Sequence, residues 1–158
     1  QIKSILITHK HQDHLLGFDE ITGAVQVPVG IGTDDADGLP RPPQIDLKDG
    51  MVIKFGNQEM TVLDTPGHTE GATCFLIGKH LFSGDTLFPG GPGKTRSPEA
   101  FQQVVDSITK KLLVLPDDTA VYPGHGDDTT IGKAREEYQG FASKPHSPDL
   151  FGEVTWNS

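Results

Sequence analysis

The stretch Thr8-His9-Lys10-His11-Gln12-Asp13-His14 puts three imidazoles and a carboxylate within six residues, directly after the aliphatic run Ile5-Leu6-Ile7. Alternate residues of an extended segment point the same way, so His9 and His11 present two imidazoles to one point. Asp13 and His14 follow as the chain turns toward a helix, and they face a second point close by. Neutral imidazole and carboxylate suit zinc or another first-row divalent ion, and no thiolate is involved.

Three later segments each carry one further metal-competent residue in a glycine-bounded loop at the end of an expected strand. They are Asp64-Thr65-Pro66-Gly67-His68-Thr69, Ser83-Gly84-Asp85-Thr86 and Tyr122-Pro123-Gly124-His125-Gly126. Singly each is a weak signal, since a histidine or Gly-Asp in a turn is common. Together with the cluster they gain weight, because loops converging on one edge of a sheet are how α/β sites are built. His9, His11, Asp13, His14, His68, Asp85 and His125 are too many donors for one tetrahedral ion and suit two. If Asp85 bridges, His9, His11 and His68 fall to one ion and Asp13, His14 and His125 to the other, with room for a shared water. The remaining histidines, His80 and His146, have no such context and read as structural or solvated.

The elements that must position these loops are legible in part. Ile5–Ile7 reads as a buried strand, residues 15–22 as a short helix, Ala24–Val29 as another strand and Gly30–Pro43 as a polar loop. Met51–Phe55 and Glu59–Leu63 flank Gly56-Asn57-Gln58, while Ala72–Ile77 and His80–Ser83 flank Gly78-Lys79; both are hairpin signals. Ser97-Pro98-Glu99 opens a helix with a hydroxyl cap, an early proline and a carboxylate at the positive end of the dipole. Phe101, Val104, Val105, Ile108 and Leu112 form its apolar stripe, and it ends before Pro116. Thr119–Tyr122 is a further strand, and Ile131, Ala134, Tyr138 and Phe141 mark a second amphipathic helix. The sum is a single domain, residues 1–158, in which helices cover sheet in an α/β or α+β order.

Composition narrows the partners. The 158 residues hold 13 Lys plus Arg against 22 Asp plus Glu, a formal charge of −9, and there is no basic run to favour nucleic acid or an anionic membrane. The 19 Gly and 12 Pro predict long, shaped loops on a folded scaffold. No apolar run is long enough to span a bilayer, and residues 1–20 carry histidines and carboxylates where a signal peptide needs an apolar core, so the chain reads as soluble and cytoplasmic. Cys74, the single cysteine, sits in the apolar segment Ala72–Ile77 and reads as a small buried thiol.

Thr8–His14 resembles the Thr-His-x-His-x-Asp-His signature of the metallo-β-lactamase superfamily, and His68, Asp85 and His125 follow in that family's order. The resemblance covers residue 1 to about 130 and implies an αββα sandwich. In the family several strands precede the signature, whereas this chain begins in the strand that feeds it, so the expected fold lacks those N-terminal strands. An open edge of that kind would favour a homo-oligomer or a covering N-terminal segment. Within the superfamily, Thr65-Pro-Gly-His-Thr, Phe82-Ser-Gly-Asp-Thr-Leu-Phe and Tyr122-Pro-Gly-His are most similar to the glyoxalase II group, which hydrolyses S-2-hydroxyacylglutathione thioesters. Asp85 argues against an antibiotic-hydrolysing member, since those usually replace or lack it. Lys94 falls where that group has a lysine contacting the thiol carrier. Residues 141–158 are too short to form the glutathione-gripping helical domain of glyoxalase II, so the expected fold lacks it, and Gly126-Asp127-Asp128 lacks that group's tyrosine after the last histidine. These departures imply a thiol carrier that is smaller, different, or held mainly by loop 88–97.

The resemblance thus implies a binuclear hydrolase of a small-molecule thioester, with two divalent ions, zinc foremost and iron or manganese as alternatives. A water shared by the ions would lose its proton near neutral pH and attack the carbonyl. Asp13, itself a ligand, would orient that hydroxide, and the hydroxyls of Thr65 and Thr69 would support the His68 loop. The runner-up is an iron-dependent persulfide dioxygenase with a one-ion site of His68, Asp85 and one histidine of the first cluster. Another superfamily hydrolase such as a lactonase, and a non-catalytic chain, complete the alternatives.

Overall fold

The computed structural model describes residues 1–157. Its elements run β1 (Ile5–Leu6), a 3₁₀ turn (Gln12–His14), α1 (Phe18–Ala24), β2 (Val29–Gly32), a 3₁₀ segment (Thr33–Gly38), β3 (Ile45–Leu47), β4 (Val52–Phe55), β5 (Gln58–Asp64), β6 (Thr73–Ile77) and β7 (His80–Gly84). There follow β8 (Leu87–Phe88), β9 (Gly91–Pro92), α2 (Pro98–Ser107) running into a wider turn at Ile108–Leu112, β10 (Ala120–Pro123), β11 (Thr129–Thr130) and α3 (Ile131–Ala142). A parallel sheet of three strands, β1-β2-β3, faces a six-stranded sheet in the order β11-β10-β7-β6-β5-β4, and β8 and β9 form a separate hairpin.

Side-chain alternation along the strands builds the layers. On β5 and β6, Val62 and Phe75 point between the sheets and meet Leu47, Leu6 and Ile45. Cys74, Leu63 and Leu76 point the other way, into the larger core with Val104, Ile108, Leu112, Ile131 and Phe141 of the helices. Across the small sheet, Ile7, Val29 and Ile31 bury against Leu15 and against Phe18 of α1. The layers run helix, sheet, sheet, helix from one side to the other, while at the β1–β4 edge between the sheets Ile2, Leu6, Ile53, Phe55 and Met60 line an open cavity. This is the expected αββα arrangement.

The hairpins and both amphipathic helices form where patterning placed them. Ser97 caps α2, its hydroxyl accepting from the Ala100 N–H at 3.1 Å, and Thr130 does the same for α3 toward Lys133. The segment Ala24–Val29 corrects the sequence reading. Ala24 ends α1, and the strand begins only at Val29 and runs through Gly30 to Gly32. Pro28 supplies a carbonyl to Ile5 but has no N–H to give, so pairing cannot extend backward. Gly30–Pro43 is correspondingly not all loop, for it contains the end of β2 and the 3₁₀ segment. No helix among the described residues is long and apolar enough to cross a membrane.

Candidate metal centre

Four strand ends deliver the site. β1 runs into the first histidine loop, β5 into the His68 loop, β7 into Asp85 and β10 into His125. Two contacts tie the loops at backbone level: Thr73 N–H donates to the Thr8 carbonyl at 2.9 Å, and Gly124 N–H to the Gly84 carbonyl at 2.7 Å. Gly84 turns the chain at φ +51°, a conformation that side chains disfavour. Gly124 is needed for space, since a Cβ there would lie 2.5 Å from Asp85 Oδ1 and 2.6 Å from His14 Cε1.

The donors gather as two sets. His9, His11 and His68 form one, and Asp13, His14, Asp85 and His125 the other, with the donor atoms of each set within 4.8 Å of one another. Asp85 lies between them. Its Oδ2 is 3.6 Å from His9 Nε2, 3.5 Å from His68 Nε2 and 3.4 Å from His125 Nε2, while Oδ1 is 3.3 Å from His14 Nε2. Asp13 Oδ2 approaches His125 Nε2 at 2.9 Å and His14 Nε2 at 3.5 Å. The first set is largely buried. In the second, Asp13 and His125 are exposed, so the centre opens to solvent on that side.

The donor set fits divalent metal. His9 Nε2, His68 Nε2 and Asp85 Oδ1 are buried with no hydrogen-bond partner, a costly state for polar atoms unless something else binds them. His14 Nε2 and His125 Nε2 stand 3.2 Å apart with a carboxylate oxygen near each, an arrangement suited to a shared cation. Burial first, then the neighbouring His14, His68 and His11, push the His9 pKa down to about 3, so its ring is neutral and its lone pair available. Burial, His68 and Arg96 lower His11 as well. For Asp13 desolvation is the largest single effect and acts upward, but His14, a backbone hydrogen bond, His125 and His9 together outweigh it and hold the carboxyl below its usual range.

The outer nitrogens of the rings are anchored as ligand histidines require. His68 Nδ1–H donates to the Lys94 carbonyl at 2.7 Å, a tautomer assigned from the carbonyl's inability to donate. The Thr8 hydroxyl meets His9 Nδ1 at 3.0 Å. Thr65 and Thr69 both lie behind the His68 loop. Thr65 Oγ1 is bonded to Thr86 Oγ1 at 3.0 Å and to Cys74 Sγ at 3.2 Å, whereas Thr69 Oγ1 donates to Asp35 Oδ2 at 2.6 Å.

Asp35 is the residue that sequence reasoning missed. Fully buried, it also accepts from Lys10 N–H, between His9 and His11, at 3.0 Å and from Gly71 N–H at 2.9 Å. One carboxylate thereby fastens the two loops that supply the first donor set. Beside His68 opens a cleft of about 580 Å³, within the usual range of small-molecule sites, lined by Lys10, Thr69, Glu70, Arg96 and Ser97 among others. The Lys94 side chain is exposed, and the contact it makes with the centre is through its main chain. His80 and His146 lie apart, His80 bonded to Tyr122 Oη at 2.9 Å and His146 stacked on Phe141 with its Nε2 on that residue's carbonyl.

Residues 1–125 match the family model described as the metallo-beta-lactamase superfamily. A hydroxyacylglutathione hydrolase from Hydrogenovibrio crunogenus is 38% identical over 129 residues, covering 79% of this chain and 45% of that protein. Another, from Alkalilimnicola ehrlichii, is 35% identical over 151 residues, covering 95% of this chain and 56% of that protein. The chain therefore spans about half the length of these relatives. Among solved structures, ETHE1 from Myxococcus xanthus superposes with a TM-score of 0.77 at 30% identity, over 90% of this chain and 64% of that one.

Proposed function

The chain belongs to the metallo-beta-lactamase superfamily, and we propose that it is a metal-dependent hydrolase whose two-ion centre cleaves the thioester of a low-molecular-weight thiol. The observation that carries this reading is Asp85, whose carboxylate lies within 3.6 Å of histidines from both donor sets. Likeness to hydroxyacylglutathione hydrolases supports an S-2-hydroxyacylglutathione-like substrate.

In this reading His9, His11 and His68 would hold one ion, Asp13, His14 and His125 the other, and Asp85 would serve both. Bound there, two divalent ions, zinc foremost, would supply Lewis acidity for the carbonyl and an acidified water as nucleophile. Asp13, its carboxyl held below the usual range on the exposed rim, would accept a hydrogen bond from the attacking water and set its direction. His9 keeps a neutral ring, its Nε2 and that of His68 are both buried in the wall, and the bond from His68 Nδ1–H to Lys94 fixes that ring's angle. The leaving thiol has a pKa of about 8.5 and departs without a strong general acid. The cleft beside His68 takes the carrier, with Arg96 and Lys10 on its wall, and the exposed Lys94 of loop 88–97 contacts that carrier.

A one-ion persulfide dioxygenase built on His68, Asp85 and a first-cluster histidine is the competing reading, supported by the likeness to ETHE1. It would leave Asp13, His14 and His125 gathered to no purpose. The test is elemental analysis of the purified protein, then S-lactoylglutathione with a free-thiol reagent on the same sample. About two zinc ions per chain with thiol release is the expected result. A single iron, no thiol release and oxygen uptake on glutathione persulfide would overturn it.

A further inference from the structure

The segment 150–156 lies against the loop that flanks the metal centre, and it is held there at both ends. Trp156 N–H donates to the Gly90 carbonyl at 2.7 Å. Its indole is buried, packed on Tyr138 and Phe141 of α3 at ring distances of 5.3 and 4.8 Å. Glu137 of the same helix accepts from Gly90 N–H at 2.8 Å. Further back, Gly152 and Thr95 make a reciprocal pair: Thr95 N–H donates to the Gly152 carbonyl at 3.1 Å, and Gly152 N–H donates to Thr95 Oγ1 at 3.2 Å. Thr95 itself is buried.

The peptide bond makes this clamp matter to the site. The Lys94 carbonyl, which accepts from His68 Nδ1–H, and the Thr95 N–H, which donates to Gly152, are opposite ends of one planar unit. Turning that plane to suit one partner turns it for the other. A hydrogen bond at each end also polarises the group, strengthening both.

We propose that segment 150–156 acts as a strap, with Thr95 and Gly152 as positioning residues that hold the Lys94–Thr95 peptide plane and through it the ring of His68. The proposal rests on the reading that His68 holds a metal ion. Seating of the strap and binding of the ion are then coupled, and each must favour the other by the same factor.

The test compares Thr95→Val, which removes the side-chain acceptor, with Thr95→Ser, which keeps it. Gly152→Ala strains the other partner, whose φ is +91° with open space around it. In the full chain, zinc competition against a chromophoric chelator should show one of two ions bound about tenfold more weakly in Thr95→Val and Gly152→Ala, with Thr95→Ser near wild type. Reciprocally, zinc should slow exchange of the Trp156 amide by a similar factor in the wild type. Wild-type affinity in both impaired variants, or equal loss in Thr95→Ser and Thr95→Val, would overturn the strap. If the wild type binds no zinc, the two-ion reading fails, and the strap is judged by the His68 Nδ1–H resonance of the metal-free protein. Loss of that signal in Thr95→Val with return in Thr95→Ser sustains it, and an identical signal in all variants refutes it.

Discussion

Replacing Asp35 should cripple the centre although Asp35 touches neither donor set directly. Its Oδ2 accepts from Thr69 Oγ1 at 2.6 Å and Lys10 N–H at 3.0 Å, and its Oδ1 from Gly71 N–H at 2.9 Å. Asp35→Asn keeps the volume but turns one acceptor into a donor. The best orientation leaves the carbonyl toward Thr69 and Lys10 and sets the amide NH₂ against Gly71 N–H. That loses one bond to a charged acceptor, about 1.5–3 kcal/mol, weakens the other two, and strands a buried donor, so about 2–4 kcal/mol of unfolding free energy should go. Asp35→Ala strands all three donors and should cost more. Because Lys10 sits between His9 and His11 and Thr69 follows His68, slack here should also weaken zinc binding about 10–100-fold, as loss of a ligand's supporting bond does elsewhere. Urea unfolding of the metal-free protein, followed by fluorescence of Trp156, gives the first number, and chelator competition gives the second. The exposed neighbour Asp34 supplies the control, since Asp34→Asn should stay within about 0.5 kcal/mol. A loss below about 1 kcal/mol in Asp35→Asn with unchanged zinc affinity would refute the fastening role.

Asp85→Asn should reduce metal content from two ions toward one and lower thioester hydrolysis by more than the roughly 100-fold that supporting residues control; elemental analysis and thiol release measure both, and full activity would sink the shared-carboxylate mechanism. Lys94→Ala should raise KM with kcat little changed, because the bond to His68 uses the Lys94 main chain and survives the substitution. An unaltered KM would remove the lysine from carrier binding. Burial pushes the Cys74 thiol up to about 11, with bonds from Thr65 and Thr86 opposing the shift. Above the ordinary value of 9.0 the unfolded chain sheds this proton while the folded one keeps it, so stability falls as pH rises from 9.0 to about 11. The slope is about 1.4 kcal/mol per pH unit and should be absent from Cys74→Ala in paired urea titrations. Rapid modification of native Cys74 by a thiol reagent at pH 8 would contradict its burial.

The parts legible in the sequence and the parts that were not divide along a physical line. His9, His11, Asp13 and His14 stand out because metal chemistry admits few residue types and a short loop forces them close in sequence. His68, Asp85 and His125 are legible through the glycines that let their loops turn tightly at strand ends. Asp35 is not, since nothing in Thr33-Asp34-Asp35-Ala36-Asp37 distinguishes a buried carboxylate from its exposed neighbours before the 3₁₀ segment turns it inward. The strand β3 escapes for a different reason: three residues, Ile45-Asp46-Leu47, are too few for periodicity to register, and only pairing with β2 makes them a strand. Segment 150–156 is the extreme case. Its effect on the centre passes through the Gly152 carbonyl, the Thr95 N–H and the Lys94 carbonyl, groups that nearly every residue carries. Side-chain identity therefore predicts which donor atoms gather at the strand ends far better than it predicts what holds those atoms still. In this protein much of that holding is done by main chain, at Lys10, Gly71, Lys94 and Gly152.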